Sequence, residues 1–395
     1  MSLPRVLYLT HRVPFPPDKG DRIRNYHLLR GLAARSRVWL GCLADEPVTP
    51  EARAELDRYC ERVAIVPAGG KRKWLRAGWS VLTGGSISEG IFREPALADV
   101  VRDWAKEANF AAAVVSASSL APYLAALKGV PRFVDLMDVD SQKWLDFAAT
   151  VRGPKRWVYR LEARRVRKLE RALPAWTAAR AVVSRAEADV YDAFTTPGAA
   201  TVAANGVDLD YFAPRDVQIE PALAFVGAMD YLPNIDGAVW FAREVWPAIR
   251  AKHPQAEFRI VGRSPTPEVQ RLAQLPGVKV LGTVPDVRPF VSSAAAAVVP
   301  LRLARGIQNK VLEALALARP VVAAPPALAA LGTVPGEHLL RAESPAEWVE
   351  ACSRLLTGHA FGNALGAAGR RYVEAHHRWE TCLDPFLSKI VPHVA

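Results

Sequence analysis

Lys310 and Glu313 stand three residues apart, after a short basic loop and at the start of an apolar-periodic stretch ending before Arg319-Pro320. On a 3.6-residue wheel Val311, Leu312 and Leu315 share the core side, and Lys310 and Glu313 sit near each other on the opposite flank. A helix N-terminus carrying backbone N–H groups and a Lys is an anion site. A carboxylate one turn further in can accept hydrogen bonds from sugar hydroxyls. Together they suit a phosphorylated, polyhydroxylated ligand such as a nucleotide sugar. Taken alone, the pair reads more readily as a surface i,i+3 ion pair. Arg302, Arg305, Gly306 and Asn309 complete the loop into this helix.

Three further groups have chemistry to offer. Lys19-Gly20-Asp21-Arg22 follows a loop with three prolines and is placed for acceptor or phosphate contact; a solvated turn capped by Asp21 is the plain alternative. Asp138 and Asp140 follow the apolar run Arg132–Met137. They are acid–base candidates, with Asp138 preferred, or caps for the helix that follows. Gly227 and Gly262 each close an apolar run and permit close backbone approach to a phosphate.

The elements that must carry these groups alternate. Strands are expected over 5–10, 38–43, 63–66, 111–116 and 132–137, with a helix after the first and an amphipathic one over 97–108. The second half repeats strand, glycine turn and helix, with strands over 223–227, 257–262, 278–281 and 295–299. Helices are expected over 233–250, 267–275, 287–293, 347–356 and 383–391. In such parallel sheets ligands bind outside the carboxyl ends of the strands. No GxGxxG appears, so a dinucleotide fingerprint is not expected.

The 395 residues suit two domains, and half of them are apolar, enough for two cores. A formal charge of +11 and a pI of about 9.7 call for an anionic partner. Residues 152–171 hold nine Arg or Lys and two Glu, a surplus of +7 at loosely helical spacing. Lys71–Trp79 interleaves cations with two Trp. Both compositions suit an anionic membrane surface, and equally a solvated helix and an exposed loop. Nucleic acid is not expected, since zinc-finger, helix-turn-helix and RNP-like patterns are absent. Four scattered Cys form no CxxC or metal-ligand spacing, which fits a reducing cytosol. The opening MSLPRVLYLTHRVPF is too short in apolar residues for a signal peptide, and no run of about 18 apolar residues predicts a spanning helix. Membrane attachment is therefore expected to be peripheral, on the cytoplasmic face.

Lys310-Val-Leu-Glu313-Ala-Leu-Ala … Arg319-Pro-Val-Val322 resembles the donor-site signature of family 4 retaining glycosyltransferases of the GT-B fold. That signature is Glu-x7-Glu followed by Ala-x-Ala-x-Gly-x-Pro-Val-Val. Asn205-Gly206-Val207-Asp208 … Phe212-x-Pro214 resembles the family's domain junction. The stretch Pro14–Arg24 is similar to sugar transferases of exopolysaccharide systems that accompany exosortase and PEP-CTERM proteins. The resemblance implies that Glu313 holds the ribose, and that the segment with Thr283 and Val284 lies by the base. It also implies that an Asp such as Asp138 stands near the reacting hydroxyl. Position 305, where the family has its first Glu, is Arg305. The family's usual Arg and Lys after the Gly227 strand are missing, and Lys310, Arg302 or Arg305 is expected to supply that charge.

The expected fold is α/β, GT-B, with two Rossmann-like parallel-sheet domains facing a cleft. The acceptor-side domain would span 1–214, the donor-binding domain 215–379, and a helix over 380–395 would return to the first. The expected activity is transfer of a hexosyl group from a nucleotide diphosphate sugar to a saccharide or lipid-linked saccharide acceptor, with retention and without metal or cofactor. The alternatives are a GT-B-fold sugar-nucleotide epimerase and an inactive membrane-associated assembly subunit. The sugar, the base, the acceptor and the oligomeric state are not legible.

Overall fold

The computed structural model describes residues 3–391. The chain divides into two compact units, one of residues 1–204 with 383–395 and one of residues 205–382.

The first unit holds β1 (Arg5–Thr10), α1 (Gly20–Ala33), β2 (Arg37–Ala44), α2 (Pro50–Tyr59), β3 (Cys60–Pro67), α3 (Arg72–Leu82), α4 (Ile87–Phe92) and α5 (Pro95–Glu107). It continues with β4 (Ala112–Ser116), β5 (Arg132–Met137), α6 (Asp140–Thr150), α7 (Pro154–Ala172), β6 (Ala179–Val182), α8 (Arg185–Asp192) and β7 (Thr201–Val202). The sheet order is β3-β2-β1-β4-β5-β6-β7, with parallel pairing throughout. β1 and β4 read as unbroken apolar runs because both of their faces are covered. Leu7, Leu9, Val115, Val134 and Trp104 share one core cluster.

The second unit holds β8 (Glu220–Val226), then α9 (Leu232–Trp240), which runs through a π-helical turn (Phe241–Val245) into α10 (Trp246–Lys252). There follow β9 (Glu257–Val261), α11 (Pro267–Arg271), β10 (Val278–Gly282), α12 (Arg288–Ser292), β11 (Ala294–Val299), α13 (Asn309–Ala316), β12 (Val321–Ala323), α14 (Pro325–Leu328), β13 (Leu340–Arg341), α15 (Pro345–Thr357) and α16 (His359–His376). Its sheet, β10-β9-β8-β11-β12-β13, is also parallel. Strand order reverses beside β1 in one sheet and beside β8 in the other. Such a reversal opens a crevice at the carboxyl ends, where α/β sheets take their ligands.

The last helix, α17 (Trp379–Ile390), crosses the unit boundary at Cys382/Leu383. Within the first unit it docks on α1 and the turn after it: a Cβ on Gly31 would come within 2.6 Å of Leu387 Cδ1, and Arg35 Nη2 meets Asp384 Oδ1 at 2.8 Å. The tip of the expected terminal helix, residues 392–395, lies outside the described residues. The Asn205–Pro214 segment, expected to close the first domain, lies in the second unit. Two contacts explain this: Val207 N donates to His377 O at 2.8 Å, and Arg370 Nη1 donates to Phe212 O at 3.1 Å.

Candidate active site

In the second unit, the reversal beside β8 brings together the Gly227 turn and the loop from β11 to α13. α13 buries Val311, Leu312 and Leu315 completely, so the helix can present Lys310 and Glu313 only on its other flank. Lys310 Nζ donates to Asn234 Oδ1 at 2.6 Å and lies 4.7 Å from the centre of the Phe225 ring. Asn234 is itself fixed, its Nδ2 donating to Ala228 O at 2.9 Å. A Cβ on Gly227 would stand 2.9 Å from Lys310 Nζ. The ammonium therefore sits against the glycine turn, where the sequence lacks a cation of its own. Gly262, with φ +152°, is pressed so tightly on the Gly227 carbonyl that any Cβ would collide with it. Gly262 is demanded by backbone approach, whereas Gly227 leaves room for the side chains of Asn234 and Lys310.

Lys310 and Glu313 line a narrow cavity with Phe212, Val226, Val291 and Leu317. Its volume of about 10 Å³ admits roughly one water. It is a place where two charged groups are desolvated rather than a nucleotide-sized pocket. Burial pushes the Lys310 ammonium down to about 7 and the Glu313 carboxyl up to about 7; each partner's charge partly opposes these shifts.

The neighbouring loop residues are used differently. Arg302 Nε donates to Asp236 Oδ2 at 3.0 Å, so its charge is already shared. Arg305 accepts from Gln308 Nε2 through its carbonyl at 2.8 Å, and Gly306 takes φ +61°. Asn309 Oδ1 accepts from Asn205 Nδ2 at 3.1 Å, tying the start of α13 to the Asn-Gly turn. Thr283 is exposed and Val284 half-buried after Gly282, whose φ is +67°.

In the first unit the residues that follow β1 are engaged in ion pairs. Lys19 Nζ meets Glu46 Oε1 at 2.7 Å, and Arg22 meets Asp18 and Glu46, each at 3.1 Å. Gly20 opens α1 with open space where a Cβ would stand. Asp21 does not cap α1; its Oδ2 accepts from Arg12 Nη1 at 2.9 Å and lies 3.0 Å from His11 Nε2. Burial would raise this carboxyl, but the His11 hydrogen bond and the nearby charges hold it well below the usual range. Asp138 follows Met137, whose φ is +64°. Asp140 opens α6 and lies 3.8 Å from Lys143 Nζ. Beneath them Arg24 and Asp135 form a fully buried two-pronged pair at 2.7 and 2.9 Å.

The sequence reading missed Asn234, His11 and the Arg24–Asp135 pair. His11 carried a usable signal, a titratable residue directly after a buried strand. The other two depend on contacts between distant segments.

Residues 220–358 match the family model described as Glycosyl transferases group 1. The matched stretch lies wholly within the second unit. No curated protein sequence matches the chain. Among solved structures the chain is similar to HepE from Anabaena in complex with UDP and glucose, with a TM-score of 0.69 at 13% identity over 96% of this chain and 97% of that one. It is also similar to sucrose-phosphate synthase from Thermosynechococcus elongatus, with a TM-score of 0.71 at 18% identity over 96% of each chain. A third is WaaG, a glycosyltransferase involved in lipopolysaccharide biosynthesis, with a TM-score of 0.67 at 14% identity over 98% of this chain and all of that one. The two parallel-sheet α/β units thus match GT-B glycosyltransferase structures along nearly the whole chain, the fold expected from the sequence. The stretch that matches the family model contains Gly227, Asn234, Lys310 and Glu313. Among the described residues, no group of three or more His, Cys, Asp or Glu is gathered to hold a metal, and no helix is long and apolar enough to cross a membrane.

Proposed function

We propose that the protein is a retaining family 4 glycosyltransferase of exopolysaccharide assembly. It would move a hexosyl group from a nucleotide diphosphate sugar to a saccharide carried on lipid at the cytoplasmic face of an anionic membrane. The observation that carries the donor side is Lys310 Nζ against the Gly227 turn at the strand reversal. When the anomeric carbon–oxygen bond breaks, negative charge develops on the departing diphosphate, and a positioned ammonium beside close-approach backbone stabilises it. Glu313 accepts hydroxyls of the ribose, and Thr283 and Val284 border the base. The similarity to HepE, solved with UDP and glucose, supports a uridine diphosphate sugar as the first donor to try. Asp138 serves the acceptor hydroxyl, and no resident metal is required.

Incubation with a panel of sugar nucleotides, with and without a lipid extract, tests the reading. Release of nucleotide diphosphate that depends on the extract is expected. Altered sugar on an intact nucleotide would identify an epimerase, and neither turnover nor binding would identify an assembly subunit. Asp138→Asn should lower turnover steeply while sparing donor affinity in calorimetry; equal loss of both would give Asp138 a folding role.

A further inference from the structure

α3 is amphipathic with its faces reversed. Its buried positions hold the small residues Ala77 and Ser80. Its large apolar residues point outward: Trp74 is 62% exposed, Leu75 75%, Trp79 67% and Leu82 82%. At 100° per residue these four, with exposed Gly78, fall within one continuous arc of the helix. Soluble surfaces carry scattered apolar residues, but a contiguous patch of two Trp and two Leu on one short helix marks a contact surface.

The small face cannot be exchanged for the large one. Gly90 of α4 packs against α3 so closely that a Cβ there would lie 2.5 Å from Ala77 Cα. Ser80 Oγ donates to Ser86 O at 2.8 Å. Arg76 Nη2 meets Glu94 Oε2 at 2.6 Å. α4 is held in turn by α7: Glu162 accepts from Ile87 N at 2.6 Å and Ser88 N at 2.8 Å, and Arg165 Nη1 donates to Gly84 O at 2.6 Å. α3 is therefore clamped with its aromatic side out.

Charge selects the partner. No Asp or Glu occurs between Glu61 and Glu89, whereas Lys71, Arg72, Lys73 and Arg76 all fall there. Lys71 and Arg72 are exposed at the start of the helix. On α7 the exposed Trp157 is flanked by exposed Lys155, Arg156 and Arg160. A second copy would bring the same sign to this face, on a chain already at +11. Trp at a headgroup boundary with cations beside it is the composition of a helix lying in a bilayer interface.

We propose that α3 is the membrane-docking element, lying in an anionic bilayer interface with Trp74, Leu75, Trp79 and Leu82 in the acyl boundary and Lys71 and Arg72 at the headgroups. The proposal deepens the reading of a lipid-borne acceptor and rests on that reading only for its purpose. The full-length protein should co-sediment with vesicles of equimolar phosphatidylcholine and phosphatidylglycerol, and far less with phosphatidylcholine alone. Its Trp emission should shift to the blue on binding. The triple variant Trp74→Ser/Leu75→Ser/Trp79→Ser should lose affinity by roughly a hundredfold or more and lose the shift, since each large side chain withdrawn is worth about tenfold. Lys71→Glu/Arg72→Glu should weaken binding by at least about tenfold, and added salt should reduce the parent's binding in the same direction. All these positions are on the surface, so melting temperatures should stay near the parent's.

Sedimentation of the triple variant at parent affinity would overturn the proposal, as would equal binding of the parent to both vesicle types. So would a lipid-free dimer that the triple variant dissolves, since it would make a second copy the occupant. Calorimetry with UDP separates the two readings. A parent that binds vesicles but no nucleotide refutes the transferase and leaves the docking face standing. A parent that binds UDP but no vesicles does the reverse.

Discussion

The two sheets share a topology and use it in opposite ways. Each reverses strand order beside its first strand. In the first unit the charges of the loop after β1 and of α1 are paired with the protein's own: His11 and Arg12 on Asp21, Lys19 and Arg22 on Glu46, Arg24 on Asp135. At β8/β11 two glycines clear the backbone, and one Lys and one Glu stand desolvated. The first edge has satisfied its charges internally and is built to hold shape. The second leaves two charges poorly solvated, which a ligand bringing phosphates and hydroxyls would relieve. Strand reversal marks both crevices as places where a ligand can bind, and the desolvated pair sets the second apart as the proposed donor side.

The widest separation between the edges should appear on removing one member of a charged pair. Arg24→Met leaves Asp135 buried and unpaired, which typically costs about 3–5 kcal/mol, and the first unit should melt far earlier in denaturant. Glu313→Gln should barely move the melting point and should weaken UDP binding. If Arg24→Met melts with the parent, the first edge is not held by its ion pairs.

Next in size is donor affinity. Lys310→Ala should weaken UDP binding by about 1.5–3 kcal/mol, the range for hydrogen bonds to charged groups. Gly227→Ala should act in the same direction, because its Cβ would stand 2.8 Å from Asn234 Nδ2 and 2.9 Å from Lys310 Nζ. Calorimetry at parent affinity for both would move the phosphate site elsewhere.

The second edge should also respond to pH near neutrality. Lys310 falls from an ordinary 10.5 to about 7, so between those values the native state binds fewer protons than the unfolded chain, and stability rises with pH there. Glu313 rises from 4.5 to about 7, so between those values the native state binds more protons, and stability falls as pH rises. The two contributions meet in a local minimum of stability near pH 7. A diphosphate favours the protonated Lys, so its affinity should fall as pH climbs past 7, with proton uptake on binding. Calorimetry in two buffers of different ionisation heat measures that uptake. A pH-independent affinity would leave Lys310 out of the contact.

The sequence made α13 and β5 legible because each is a run whose apolar period matches its surroundings. The sequence did not reveal α16. Glycine is a poor helix former, yet Gly366 and Gly369 are what lets α16 pack against its neighbours. A Cβ at Gly366 would strike the Ala318 carbonyl, and one at Gly369 would lie 2.5 Å from Leu315 Cδ2. In α7 the loosely helical spacing did not give the inner face, which holds Glu162, Ala163, Val166 and Glu170, while Val158 is exposed. Charge counting weighed those two acids against a basic surplus, when their work is to accept N–H groups at the starts of α4 and α6. Lys310 and Glu313 were legible as a pair by spacing. Asn234, 76 residues from Lys310, was not, because only the folded sheet brings it there.

Glu170 offers the finest test of the comparison, since it is a carboxyl of the first unit in the condition of the second. It is fully buried, its Oε1 accepts from Ser141 N at 3.2 Å, and no described protein donor reaches Oε2. Burial pushes it up to about 8, and the charge of Asp140 adds to the shift against the Ser141 hydrogen bonds. At neutral pH it is therefore mainly the neutral acid. Its folded value lies above the unfolded 4.5, so its stabilising contribution is complete below that value and is lost as pH rises through about 8. Glu170→Gln keeps the carbonyl that accepts Ser141 N–H and removes the ionisation. It should cost less than about 1 kcal/mol at pH 6, no more than one ordinary hydrogen bond. Above pH 8 the parent must bury a charge and the variant need not, so the ranking should invert. Melting curves for the two proteins should lie close together in weak acid and cross on the alkaline side, the variant then melting later. A variant less stable by the same margin at every pH would mean that Glu170 is ionised throughout, and that the first edge satisfies this charge as it does the others.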